Sequence, residues 1–97
     1  MAKAKIKLYF KNTIHNRFVT ELTIHDVGKS GRYPDGVKYG LICKDLQTDH
    51  YVLFDNHHPK GPHIHINDQE FEYEYVNDNQ LIEDFKTYVL THLGVIL

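Results

Sequence analysis

The sequence predicts an α+β fold: a mostly antiparallel sheet of five to six strands with one C-terminal helix packed on it. Two patterns carry that expectation. Apolar and polar residues alternate with a period of two through most of the first 76 positions, as half-buried strands do. A single apolar stripe at helical spacing follows between Asn77 and Gly94.

The elements follow in order. Ile6, Leu8 and Phe10 alternate with Lys5, Lys7 and Tyr9, a half-buried strand with cations on its open side. Lys11-Asn12 is expected to begin a polar turn. From Arg17 to Val27 a second strand presents Phe18, Thr20, Leu22 and Ile24 on one face. Val19, Glu21, Thr23 and His25 share the other. Gly28 to Gly36, with three glycines, a proline and an Asp35-Gly36 pair, is a loop. Val37, Tyr39, Leu41 and Cys43 mark a third strand. Asp45 to Asp49 turns the chain into a fourth, His50 to Asp55. Asn56 to Pro62 is irregular, because Pro59 and Pro62 lack the ladder donor and Gly61 frees the backbone between them.

A hairpin comes next, from His63–Ile66 and Glu70–Val76. Its turn falls at Asn67-Asp68 or at Asp68-Gln69. Both choices keep the same parity. The first sets Ile66 opposite Gln69, His65 opposite Glu70, Ile64 opposite Phe71 and His63 opposite Glu72. His63 and His65 then share a face with the glutamates, while Ile64 and Ile66 join the aromatics in the core. The helix opens on Asn77 and Gln80, a capping box, with Asp78 at the positive end of its dipole. Leu81, Ile82, Phe85, Tyr88 and Val89 form its apolar stripe, and Gly94 stops it. The apolar tail Val95-Ile96-Leu97 is expected against the sheet or a second subunit.

Length and composition bound the function. Ninety-seven residues make one domain with a modest core. No apolar run approaches the ~18 residues of a membrane span. The opening Met1-Ala-Lys-Ala-Lys is not an apolar signal core, so a cytoplasmic location is expected. The single cysteine, Cys43, excludes an intramolecular disulfide and reads as a small buried thiol. The net charge of −2 hides an asymmetry. Residues 1–44 hold nine Lys/Arg and three Asp/Glu, whereas residues 45–97 hold two and ten. The basic half could face phosphates and the acidic half a basic partner.

The segment from Tyr51 to His65 holds the chemistry. Between Asp55 and His65 lie four of the eight histidines (His57, His58, His63, His65), with Asn56 and Lys60. Neutral imidazole is both a metal ligand and an acid/base that titrates near neutral pH. His63 and His65, two apart on a strand, present both rings on one face. That spacing suits metal binding with a nearby carboxylate. It also suits proton transfer, with Lys60 neutralising charge on a phosphate. The bland alternative is a pair of surface histidines salt-bridged to Glu70 and Glu72. For Asn56 it is an Asx turn, for Gly61 backbone geometry alone, and for His57 and His58 exposure in a loop. His63-Ile64-His65 with Glu70 also matches the first half of the cupin pattern. A cupin needs a second histidine motif, and His92, near the helix end, is the only later histidine.

Asp55-Asn56, then Lys60-Gly61-Pro62-His63-Ile64-His65, the strand Glu70-Phe-Glu-Tyr-Glu-Tyr75 and Leu81-Ile82-Glu83-Asp84-Phe85 together resemble the TumE family. The resemblance runs from about Tyr51 to Tyr88, with tyrosine for phenylalanine at Tyr75; the amino-terminal half matches only in outline. It implies a single TumE-like domain over residues 1–97 and the toxin role of a type II toxin–antitoxin module, with a helix-turn-helix antitoxin as partner. Beside it, the residues suggest a metal-independent ribonuclease without a cofactor. His63 and His65 would be the acid/base pair and Lys60 would stabilise the phosphorane. Asp55 or Asn56 would orient a histidine or the ribose. His57, His58 and Gly61 would line the substrate, and Lys5 and Lys7 would track the RNA backbone. A non-enzymatic binding module and a metal-dependent hydrolase stay open beside it, as does a homodimer.

Overall fold

Six strands and one helix follow one another along the chain in the computed structural model, which describes residues 4–97. They are β1 (Lys5–Ile14), β2 (Phe18–Asp26), β3 (Val37–Asp45), β4 (Tyr51–Asp55), β5 (His63–Ile66), β6 (Gln69–Glu72) and α1 (Asp78–Leu93). Met1–Lys3, the start of the basic amino-terminal segment, lie outside the described residues. The strands form one sheet in sequence order, every neighbour antiparallel, which is the expected α+β architecture. Among the described residues no helix is long and apolar enough to cross a membrane.

The period of two sorts the side chains. Leu22, Ile24, Leu41, Cys43, Val52, Phe54 and Ile64 are buried on one face, and Leu81, Phe85 and Val89 of α1 cover it. Phe54 is the centre of this layer. Its ring meets Phe85 and Tyr88 edge-on at 5.6 and 5.3 Å and Tyr73 at 5.1 Å. Both helix ends are capped, although the expected capping box is only half formed, because the Gln80 side chain donates to Asp84. Asn77 accepts the Gln80 N–H at 2.8 Å, and Gly94, at φ 74°, donates its N–H to Leu90. The tail folds back on its own chain, with Val95 buried and Leu97 packed against the core, while Ile96 stays exposed.

Three expectations need correction. β1 does not turn at Lys11-Asn12; it continues to Ile14, because β2 supplies a partner for every position from Leu8 onward. The chain reverses instead at His15 and Asn16, both at positive φ. β1 also carries a bulge between Ile6 and Leu8. Ile6 therefore faces His25 and stands exposed, and the Lys7 ammonium pairs with Asp78 at the start of α1. Finally, β6 stops at Glu72 rather than Val76, since β5 begins at His63 and offers no strand partner beyond it. Tyr73 and Tyr75 then leave the sheet, and their hydroxyls donate to Asp84 and Asp78 of α1 at 2.6 Å.

A second tie joins two turns at the far end of the sheet. Arg17 donates from Nε and Nη2 to the buried Asp45 carboxylate at 3.0 and 2.8 Å, and the Gln47 N–H adds a third bond. The Arg17 guanidinium is the main reason the Asp45 carboxyl lies far below its usual range.

Phe85→Ala should cost about 3–5 kcal/mol in urea unfolding, because it empties the middle of the helix–sheet layer. A depressed carboxylate stabilises the fold fully above its unfolded value, about 3.9, and loses that contribution as pH falls through its folded value. Asp45→Asn should therefore be clearly less stable than the parent at neutral pH. The gap should narrow as the urea midpoints of both proteins are followed from about pH 5 to pH 2.

Candidate functional site

The face of the sheet opposite α1 carries the histidine pair. Register fixes it there: Asp55 pairs with His63 and His63 with Glu72, while Leu53 pairs with His65 and His65 with Glu70. Cross-strand neighbours of this kind hold their Cβ atoms about 4.5–5.5 Å apart, so the polar groups of β5 and β6 meet. The hairpin pairing is the one expected from the Asn67-Asp68 turn. Asn67 takes positive φ, donates its N–H to the Tyr51 carbonyl and accepts the Tyr51 N–H on its side chain.

Glu70 is the hub. Its Oε1 accepts from the Lys60 ammonium and lies 3.4 Å from His65 Nε2 and 3.9 Å from His63 Nε2. The Lys60 hydrogen bond, with smaller help from the two imidazoles, lowers the Glu70 carboxyl below its ordinary value. The two rings stand edge to face with centroids 4.8 Å apart. His63 is buried and His65 partly so. His63 Nδ1 lies 2.7 Å from the Gly61 carbonyl oxygen. A carbonyl only accepts, so Nδ1 carries the proton and the neutral ring keeps its lone pair on Nε2. A shallow cavity of about 240 Å³ opens beside the cluster, lined by Lys60, Pro62, His63, Glu70, Phe71 and Glu72. Phe71, expected in the core, is half-exposed at its rim.

The other candidate residues divide. Gly61 sits at φ 76°, which only glycine adopts readily, and its carbonyl orients His63. Asp55 lies on the same face as His63 and accepts the His57 N–H at 2.6 Å in an Asx turn. His57 and His58 are exposed in the loop that follows. Asn56 is elsewhere. It is buried, accepts the Tyr39 N–H at 2.9 Å and donates to the Val37 carbonyl at 2.8 Å, so both ends of its amide extend the β3 ladder. Lys5 and Lys7 are also apart. β1 and β5 stand four strand spacings from each other, roughly 19 Å. Lys7 is further committed to Asp78 on the helix side.

Sequence reading missed a second depression of about 230 Å³, lined in part by Thr23, His25, Lys38, Gly40, Asp55 and His57. It joins the first site through Asp55, the cross-strand neighbour of both Gly40 and His63. Gly40 makes the room, since nothing lies within 4 Å of where its Cβ would be. The signal was present: a glycine inside a strand marks a surface where another group approaches the backbone.

Family models, curated proteins and solved structures contain no match to this chain. The geometry alone therefore describes what the cluster can do. It offers a fixed imidazole lone pair, a second imidazole beside a carboxylate, and an ammonium at a cavity mouth.

Lys60→Met should raise the Glu70 carboxyl toward its ordinary value, because the main group favouring its ionised form is gone. A carbon-detected NMR pH titration of Glu70 in both proteins measures the shift.

Proposed function

We propose that this protein is a toxin of a type II toxin–antitoxin pair, similar to the TumE family, and that it cleaves RNA without a metal. In this reading His63 Nε2 takes the proton of a ribose 2′-hydroxyl, and that oxygen attacks the adjacent phosphorus. The bond to the 5′-oxygen breaks as protonated His65 donates to it, leaving a 2′,3′-cyclic phosphate. Lys60 exchanges its Glu70 partner for a phosphate oxygen and stabilises the phosphorane.

One observation carries the proposal: His63 Nδ1 is tied to the Gly61 carbonyl, so its opposite nitrogen is free as a base beside a second imidazole and a lysine. The size of the cavity, about 240 Å³, suits a phosphodiester group. It falls below the ~300 Å³ at which pockets begin to enclose drug-sized ligands. Lys38 and His25 on the same face, rather than Lys5 and Lys7, track the RNA backbone in this reading. Asp55 remains the orienting carboxylate, and Asn56 passes to the scaffold. The partner that this reading requires is a helix-turn-helix antitoxin.

His63→Ala and His65→Ala should each lower RNA cleavage by roughly 100-fold or more and relieve growth inhibition, with far-ultraviolet circular dichroism unchanged. Cleavage by the parent should persist in EDTA. Full toxicity in both folded variants rejects the assignment.

A further inference from the structure

The same hairpin offers a second kind of chemistry. One ligand atom each from His63, His65 and Glu70 lie within 4.8 Å of one another, and no other such group of three occurs among the described residues. A tetrahedral zinc with bonds of about 2.0–2.1 Å spaces its ligands roughly 3.3 Å apart. His65 Nε2 and Glu70 Oε1 already stand at 3.4 Å, and His63 Nε2 is 3.9 Å from the same oxygen. We propose that His63, His65 and Glu70 bind a zinc-class divalent cation with one coordination position open, and that Lys60 is the cation this metal displaces.

The arrangement around the donors supports that assignment. Metal-bound histidines typically donate their second ring N–H to a carbonyl or carboxylate, which fixes the ring and its tautomer. The Gly61 carbonyl does this for His63 at 2.7 Å. His63 is held by burial and this bond, whereas Glu70 projects from the outermost strand and is half-exposed. The two imidazole–carboxylate separations are already 3.4 and 3.9 Å, so closing the site mainly draws the two imidazole nitrogens together, with the partly buried His65 and the half-exposed Glu70 adjusting around His63. Two imidazoles and one carboxylate favour zinc, iron, nickel or copper over magnesium and calcium, which take oxygen donors. Lys60 pairs with the Glu70 carboxylate, so a metal and the ammonium would compete for one oxygen. The metal also takes both nitrogens that acid–base cleavage uses. Metal occupancy is then an inhibited state, a consequence that rests on the ribonuclease reading, although the site itself does not.

The test uses the full chain without a histidine tag, stripped with chelator. Zinc is titrated by calorimetry and cobalt(II) by visible absorption. The expected result is one ion per chain and the intense absorption of tetrahedral cobalt. His65→Ala and Glu70→Gln should each weaken zinc binding by roughly 100-fold. Lys60→Met should tighten it by roughly two- to fivefold, the worth of an exposed ion pair. The His57→Ala/His58→Ala double variant should bind like the parent. Failure of the parent to bind zinc, or equal binding by folded His65→Ala and Glu70→Gln, overturns the site. RNA cleavage followed across the same zinc series separates the two ideas. Cleavage that zinc arrests supports both. Zinc binding without cleavage by the metal-free chain overturns the ribonuclease reading alone, and cleavage without zinc binding overturns the metal site alone.

Discussion

The register of the β4–β5–β6 ribbon is the constraint on which the site depends. One choice of pairing sends Ile64 into the layer beneath α1 and turns His63, His65 and Glu70 outward together. A slip of one residue would bury the histidines and expose the isoleucines, so burial of Ile64 and the polar cluster are two consequences of one pairing. Asn67 holds that choice. Its backbone and side chain both bond Tyr51, which pins the hairpin turn to the first residue of β4. Apolar burial on one side thus sets the geometry of the chemistry on the other.

Local signals made the hairpin and the helix legible. The turn at Asn67-Asp68, the N-cap at Asn77 and the glycine at position 94 each depend on a few adjacent residues. They fold as their own chemistry requires. The errors came where a distant partner decides. β1 overrode a polar Lys11-Asn12 because β2 lay alongside it, and its bulge moved Ile6 and Lys7 off the alternation. Asn56 looked like part of a catalytic loop. Its amide is a backbone substitute for β3, a role that no neighbour in sequence reveals. Nothing near Lys5 and Lys7 in sequence reveals that a sheet in sequence order puts them at the edge far from the histidine site.

That same strand order gives the charge asymmetry a spatial meaning. β1 to β3 come from the basic part of the chain, and β4 to β6 and α1 from the acidic part. The polarity runs across the sheet, and the histidine cluster lies on its acidic side. Lys60 is the cation set among those carboxylates, and it is already paired with Glu70. Any anion drawn to the site must separate that pair, which confines recognition to ligands that offer Lys60 a partner as good as a carboxylate.

β1 has a further consequence for the behaviour of the protein in concentrated solution. It is a ten-residue outer strand with exposed Ile6 and Phe10, a template on which another chain could add itself. The bulge at Lys7 disrupts its flat hydrogen-bonding rim, and Lys5 and Lys11 place like charges along any β1–β1 approach. Charges so placed on an outer strand act as gatekeepers against edge-to-edge aggregation.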